Sequence, residues 1–306
     1  MLGYVVSRLL QMIPTLFGVT LLVFMLIFLV PGDPARLMAP EAASAEEVEQ
    51  LRISLGLDRP VLVQYVTWVS GVVQGDWGTS LYRRAPVLPQ LMRRLPATLE
   101  LVLASVAFSV LIAVPLGVVS ALRRNSVVDN VARVFTLFGL AMPNFWVGIM
   151  TILVFAYYLR WFPATGRGSW QHLVLPAVTL GAGMLAEMAR VMRSTMLEVI
   201  NSEYVRTARS KGLHERVVVY KHALRNALIG VITIIGLQLG GRLSGAVVVE
   251  QVFAYPGVGR LAYQSMVQQD VPLIMGSLLL FAVLFLVINL VVDVLYSVVD
   301  PRISYD

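Results

Sequence analysis

Few residues of this 306-residue chain have the types and spacing that chemistry requires. The three histidines, His172, His214 and His222, have no metal-ligand spacing, and without cysteine there is neither a thiolate ligand nor a disulfide. No Gly-x-x-x-x-Gly-Lys-Ser/Thr string occurs, so the chain has no phosphate-cradling loop for a nucleotide. No carboxylate pair and no nucleophile–base set suggests catalysis. What remains are polar residues inside apolar runs, where hydrocarbon makes them expensive to keep. Asn144 follows Pro143; irregular backbone at membrane depth is tolerated where it lines a cavity, and the same amide could equally bond a neighbouring helix. Glu187 and Arg190 lie one turn apart and could pair near a membrane interface. Gln238 and Arg242 share a helical face. Arg242 needs a partner: Glu250 two turns on, an acid on another chain, or a carboxylate passing through a water-filled path. Asp293 reads as a helix–helix contact.

The elements that hold these residues are apolar spans. Hydrophobic residues make up 58% of the chain and charged residues only 14%, against roughly 25% charged in soluble proteins. Repeated apolar runs of 18 residues or more predict an all-α, polytopic membrane protein with about six spans. A β-barrel would instead alternate over short segments, and a soluble helical core would keep a polar face on each helix. The spacing predicts spans over about 9–30, 97–121, 133–159, 172–193, 227–249 and 272–296. The first carries no cleavage signal and reads as a retained anchor. Pro31-Gly32-Asp33-Pro34 should stop it. Pro143 should bend the third span near its middle. Gly236, Gly240, Gly241 and Gly245 give small-x-x-x-small spacing for close helix packing in the fifth.

Three divisions follow: an N-terminal span (1–30), a large outer loop with amphipathic helices (31–95), and a core of about five spans (96–306). In the outer loop, Ser44-Ala45-Glu46-Glu47 predicts a capped helix to about Leu55, and Leu62 to Val73 a second amphipathic piece. The net charge of +6 lies mainly at span ends, where the positive-inside rule explains it without nucleic acid. The largest basic cluster, Arg190 to Arg225, makes the loop over 197–226 cytoplasmic, and Arg8 with an even number of spans puts both termini on that side.

Within that loop Glu203-Tyr204-Val205-Arg206-Thr207-Ala208-Arg209-Ser210-Lys211-Gly212-Leu213 reads as a short helix ending at Gly212, where a left-handed residue is needed, followed by a second short helix. Val205 and Ala208 should offer a small-residue face to something outside the membrane. Ala208 followed by Gly212 resembles the cytoplasmic "EAA" loop of ABC importer permeases. The strings Tyr-Val-Arg-Thr-Ala-Arg-Ser-Lys-Gly (204–212) and His-Ala-Leu-Arg-Asn-Ala (222–227) resemble the dipeptide/oligopeptide/nickel subfamily, in its first permease of the pair. Leu224 also keeps the general family pattern, whereas Arg206, Thr207, His222 and Arg225 depart from it. The resemblance extends to Gly75-Asp76-Trp77-Gly78, Val252 to Leu261 and Asn289 to Tyr296.

That resemblance implies an ABC importer permease fold, with Glu203, Tyr204, Arg206, Thr207, Ala208, Lys211, Gly212, Leu213 and His222 coupling to a cytoplasmic ATPase. As polar residues within apolar spans, Asn144, Gln238 and Arg242 are the candidate pathway residues. Tyr255, Pro256 and Gly257 form an outer turn touching the binding protein or its solute, or an interfacial anchor. The expected partners are a second homologous permease, two ATPase subunits that hold the ATP and magnesium, an extracytoplasmic binding protein and membrane lipid. The expected place is a bacterial or archaeal cytoplasmic membrane. Two other classes compete: an ion-coupled secondary transporter, which would need buried ion ligands, and a membrane enzyme, which would need a convergent catalytic set.

Overall fold

A computed structural model describes residues 2–29, 33, 35–36, 39 and 43–299. The turn expected at Pro31-Gly32-Asp33-Pro34 lies outside these except for Asp33, and Asp300-Pro301-Arg302 lies wholly outside. The described residues form helices α1 (Leu2–Leu29), α2 (Ala45–Ser54), α3 (Val61–Val73), α4 (Val87–Leu122), α5 (Val127–Ala141), α6 (Asn144–Thr151), α7 (Trp170–Ile200), α8 (Glu203–Ser210), α9 (Leu224–Val252), α10 (Val258–Val267) and α11 (Val271–Val299). Among the described residues five helices are long and apolar enough to cross a membrane, and the bent pair α5–α6 makes a sixth if it counts as one span.

The chain divides into two compact units, residues 1–97 with 256–306, and residues 98–255. In the first, α1 packs on α11 and α3, with Val23, Phe24, Tyr65 and Met275 at the centre. Tyr65 shares a hydroxyl hydrogen bond with Thr20 at 2.9 Å. Arg8 pairs with Asp293 at 3.2 Å, so Asp293 is a contact between helices. The expected cap of α2 forms in both directions: Glu47 N–H donates to Ser44 Oγ, and Ser44 N–H donates to Glu47 Oε2. Asp270, almost fully buried, accepts from Ser80 Oγ, from the backbone N–H groups of Leu81 and Tyr82, and from that of Leu273 in the first turn of α11. That carboxylate ties the segment after α3 to the start of α11.

Helix α4 begins at Val87, some ten residues before the predicted span. Its early turns place Val87 and Leu91 one turn apart, both buried against Val258, Leu261 and Leu273. Pro89 sits in the first turn, where a missing N–H is not felt. Helix α10 replaces part of what the sequence suggested was loop.

The second unit is built around α7, whose most apolar stretch is 61% buried, against no more than 33% in the other four long apolar helices. Met184, Met188, Met192 and Met196 recur every fourth residue and are fully buried, a flexible stripe that fills the seam between helices. Gly117 of α4 meets this stripe at close range: an added Cβ would lie 2.6 Å from Met192 Cβ and 2.9 Å from the Ala189 carbonyl. Pro143 does more than bend its helix. Met142 leaves the helical region (ψ 127), as a residue before proline must to avoid the ring, so α5 ends and α6 restarts at 112° to it. Helix α6 then continues as a π-helix, Ile152–Tyr158.

Replacing Gly117 with Ala is expected to lower the thermal midpoint of the detergent-solubilised protein, because overpacking at a rigid contact costs about 1–3 kcal/mol. Gly18→Ala, where nothing lies within 4 Å of the new Cβ, should leave it unchanged or raised.

Candidate functional site

Three groups of polar residues in the second unit bring together most of the positions singled out above. The first is the elbow after α7. Helix α8 starts with Glu203 and carries Arg209 in its last turn, each charge at the pole of the helix dipole that favours it. Gly212 takes φ +74, the left-handed conformation the turn requires, with open space around it. Across that turn Arg209 donates Nη2 to Glu215 Oε1 at 2.7 Å and Nε to Glu215 Oε2 at 3.2 Å, while its Nη1 reaches the Ile200 carbonyl at 3.3 Å. The second short helix expected after Gly212 does not stand alone. One turn, Glu215–Val217, runs through a π-helical stretch, Val218–Ala223, directly into α9.

The small-residue face turns the other way from the one expected. Val205 and Ala208 are buried in the core with Val218, Val219, Ala223 and Met196, because that cluster is the nearest apolar surface. The exposed side of the elbow carries Glu203, Tyr204, Arg206, Thr207, Lys211, Gly212 and Leu213, and His222 is half-buried in the π-helical stretch. Tyr204 Oη accepts from Asn226 Nδ2 at 2.7 Å, fixing the ring against the start of α9. The elbow is therefore a basic, polar plate held on the core by two small apolar residues.

The second group lies between α7 and α9. Glu187 does not pair with Arg190; it accepts from Gln238 Nε2, and Gln238 Oε1 in turn accepts from Arg242 Nη2. Arg242 Nη1 donates to the Leu180 carbonyl at 3.0 Å. Gln238 thus bridges an acid and a base that do not touch. Glu250, the outer-end partner considered for Arg242, is fully buried and accepts instead from Thr98 Oγ1 at 2.6 Å. Asn144, at the start of α6, comes within 3.5 Å of where a Cβ on Gly245 would stand, so its amide lies against α9 close to this chain. Gly236 and Gly240 are buried; beside them Ile229, Thr233, Leu237, Gly241, Ser244 and Val248 form an exposed stripe of apolar and small residues.

The third group closes the opposite end of the unit. Glu100 accepts from Arg167 Nη2 at 2.6 Å and Nε at 2.9 Å, and from Tyr255 Oη at 3.2 Å. The Gly166 N–H reaches the Phe253 carbonyl at 2.9 Å. Tyr255 is fully buried, so it is neither the outward contact nor the interfacial anchor expected of it. Burial, helped by the nearby Glu100 carboxylate, pushes its hydroxyl up to about 12. Pro256 is half-buried and Gly257 buried, at the cap of α10.

Sequence reasoning missed a fourth cluster. Asp129 is fully buried and takes Arg193 in a two-pronged pair, 2.7 Å on each oxygen, with Ser120 Oγ at 2.5 Å and the Asn125 N–H at 2.9 Å. The one available signal was an acid placed three residues after Ser126, which is its helix cap. Among the described residues no group of His, Asp or Glu could hold a metal ion.

The family described as binding-protein-dependent transport system inner membrane component matches residues 113–305, and its N-terminal counterpart matches residues 1–104. The glutathione transport system permease protein GsiC of Escherichia coli (strain K12) is 45% identical over 305 residues, covering 100% of both chains. The protein of that name from Shigella dysenteriae serotype 1 matches equally well. Among solved structures, a chain of the MetNI methionine ABC transporter in an inward facing conformation superposes with a TM-score of 0.58 at 20% identity, covering 70% of this chain and 98% of that one. A second crystal form gives 0.56 at 21% identity. At that identity the likeness is one of fold.

Because the chain contains no native thiol, single cysteines report accessibility without background. A cysteine at Tyr204 should react quickly with a polar maleimide in detergent, and one at Tyr255 should react at least tenfold more slowly. Equal rates would mean that the buried end of the unit opens freely.

Proposed function

The chain belongs to the family of binding-protein-dependent transport system inner membrane components, and from that premise we propose that it forms one half of a heterodimeric pathway for short, carboxylate-bearing peptides. It is a membrane-spanning permease subunit of an ATP-driven importer, a translocation subunit rather than an enzyme. Such a permease works with ATP-hydrolysing subunits and a substrate-binding protein. The ATP and its magnesium belong to the former. The second permease would be homologous to this chain, and the exposed stripe on α9 supports that reading, since its small and apolar residues suit close packing against another helix. The substrate class follows that of the 45%-identical relative, a glutathione transport system permease protein.

The elbow carries the reading of mechanism. Its exposed plate, Glu203, Tyr204, Arg206, Thr207, Lys211 and Leu213, docks on the ATPase in the cytoplasm, while Ala208 holds the plate to the core. Gly212 and His222 act in the turn and in the π-helical stretch through which α8 drives α9. Because Val205 and Ala208 are packed into the same cluster as α7, a displacement of the plate moves α7 and α9 as one body. The pathway runs beside the α9 stripe, where Asn144, Gln238 and Arg242 face the solute. Both termini lie in the cytoplasm. Residues 31–95 form the outer loop and 96–306 the permease core. Pro256 and Gly257 shape the outer turn, and Tyr255 braces it from within.

Reconstituted with its partners in inverted vesicles, the complex should move solute on ATP addition and be indifferent to a protonophore; collapse of transport by the protonophore would favour an ion-coupled carrier. Gly212→Val forces a side chain into the left-handed region at a cost of about 1–2 kcal/mol. It should leave membrane insertion intact while lowering solute-stimulated ATP hydrolysis at least fivefold. Normal coupling in that variant would remove the elbow from the mechanism. Arg242→Gln should reduce uptake of a free-acid peptide more than uptake of its C-terminal amide. Equal losses with poor assembly would leave Arg242 a packing residue.

A further inference from the structure

The cluster around Asp129 borders a cleft of about 350 Å³ between α4, α5 and α7 that the transport function does not use. The cleft is lined by Arg133, Arg190 and Arg193 together with Leu116, Leu137 and Leu140, the leucines standing one to two helical turns along α4 and α5 from Ser120 and Arg133. Three guanidinium charges stand against one carboxylate, so the mouth keeps an excess of two positive charges. Arg193 is spent on Asp129 through both of its prongs. Arg133 lies 3.7 Å from the same acid with half its side chain exposed, and Arg190 is exposed. Arg123 and Arg124, exposed in the turn between α4 and α5, extend the basic rim. On the apolar side, Leu137 is 67% exposed and Leu140 is 39% exposed. A second, wholly apolar cleft of about 450 Å³ continues from the first, sharing Leu116 and Ala132.

A basic mouth joined to an apolar trough between membrane helices is complementary to a single kind of molecule, one with an anionic head and hydrocarbon tails. We propose that this cleft binds one anionic phospholipid, its phosphate held by Arg133 and Arg190 and its acyl chains laid along Leu116, Leu137 and Leu140. Arg193 and Asp129 are the fixed floor of the site: their mutual pair orients α5 against α7 and holds the other two guanidinium groups at one edge. A soluble anion would use the arginines and leave the trough empty. A neutral lipid would fill the trough and gain nothing from the charge excess. The bound lipid would bridge α4, α5 and α7, steadying the helix on which the Met184–Met196 stripe is mounted.

The test is native mass spectrometry of the whole importer complex, released from micelles containing equal phosphatidylglycerol and phosphatidylcholine of the same acyl chains. The wild type should retain one phosphatidylglycerol per copy of this chain. Arg133→Gln/Arg190→Gln should weaken that retention about thirty-fold, the contribution of two basic residues at a membrane surface. Leu137→Trp, which fills the trough and leaves every charge in place, should also lower it, and serves alone if the double variant does not assemble. Excess inorganic phosphate should not displace the lipid. Equal retention of the two lipids, or full retention in both variants, would overturn the proposal. Displacement by inorganic phosphate would reduce the cleft to an anion site. A disulfide from Leu137→Cys to a cysteine on the second permease would show that protein covers the trough, and would overturn it as well.

Discussion

Hydrocarbon offers no hydrogen bonds, so a polar group within a membrane span must be met by another group of the protein or lose several kcal/mol. That constraint organises the second unit. Asp129 is answered by Arg193, Ser120 and the Asn125 amide. Glu187 reaches Arg242 through Gln238, and the spare guanidinium nitrogen finds the Leu180 carbonyl. Glu250 takes Thr98, and Glu100 takes Arg167 and Tyr255. Each of these joins two or more segments far apart in sequence, so together they fix which helix faces lie against one another. Removing one partner of a buried pair strands the other, at a cost of about 3–5 kcal/mol. Apolar packing alone would allow the helices to slide; the polar set allows few registers.

Much of this was readable in the sequence where the signal is local. Apolar length gave the spans, and Ser44 with Glu47 gave the cap of α2. Gly212 was marked by the turn chemistry around it and takes the expected left-handed angle. The rest depended on partners that sequence spacing does not disclose. Val205 and Ala208 were recognisable as one face of a short helix, but not the side to which that face would turn, since an apolar core and a partner's groove attract the same residues. Tyr255 looked like an exposed interfacial ring because the acid that receives its hydroxyl, Glu100, is 155 residues away. Glu187 and Arg190 had the spacing of a pair, yet the donor that Glu187 takes, Gln238 Nε2, comes from another helix. Pro143 was read as a bend; the extended backbone forced on Met142 makes it a break.

The elbow runs into α9, the helix that carries Gln238 and Arg242, without a break. Helix α8 is pressed on the core by Val205 and Ala208, braced by the Arg209–Glu215 pair, and continued by an unbroken run of helix from Glu215 into α9. An exposed ion pair of this kind adds at most about 1 kcal/mol, so the packing of the two small residues is the stronger part of the bracing. The polar plate faces away from the cluster that buries Val205 and Ala208, with Tyr204 tied to Asn226 at the start of α9. The elbow bends at two places, the turn at Asn201-Ser202 and the left-handed turn at Gly212, the latter spanned by the Arg209–Glu215 pair.

The central claim is that the ATPase meets the plate and not the small-residue face. Single cysteines at Tyr204, Arg206, Val205 and Ala208, placed in turn in the otherwise thiol-free chain, can be crosslinked within the assembled complex to a cysteine scanned across the ATPase surface. Crosslinks from Tyr204 and Arg206, with little or none from Val205 and Ala208, are the expected result. Efficient crosslinks from Ala208 with none from Tyr204 would contradict it.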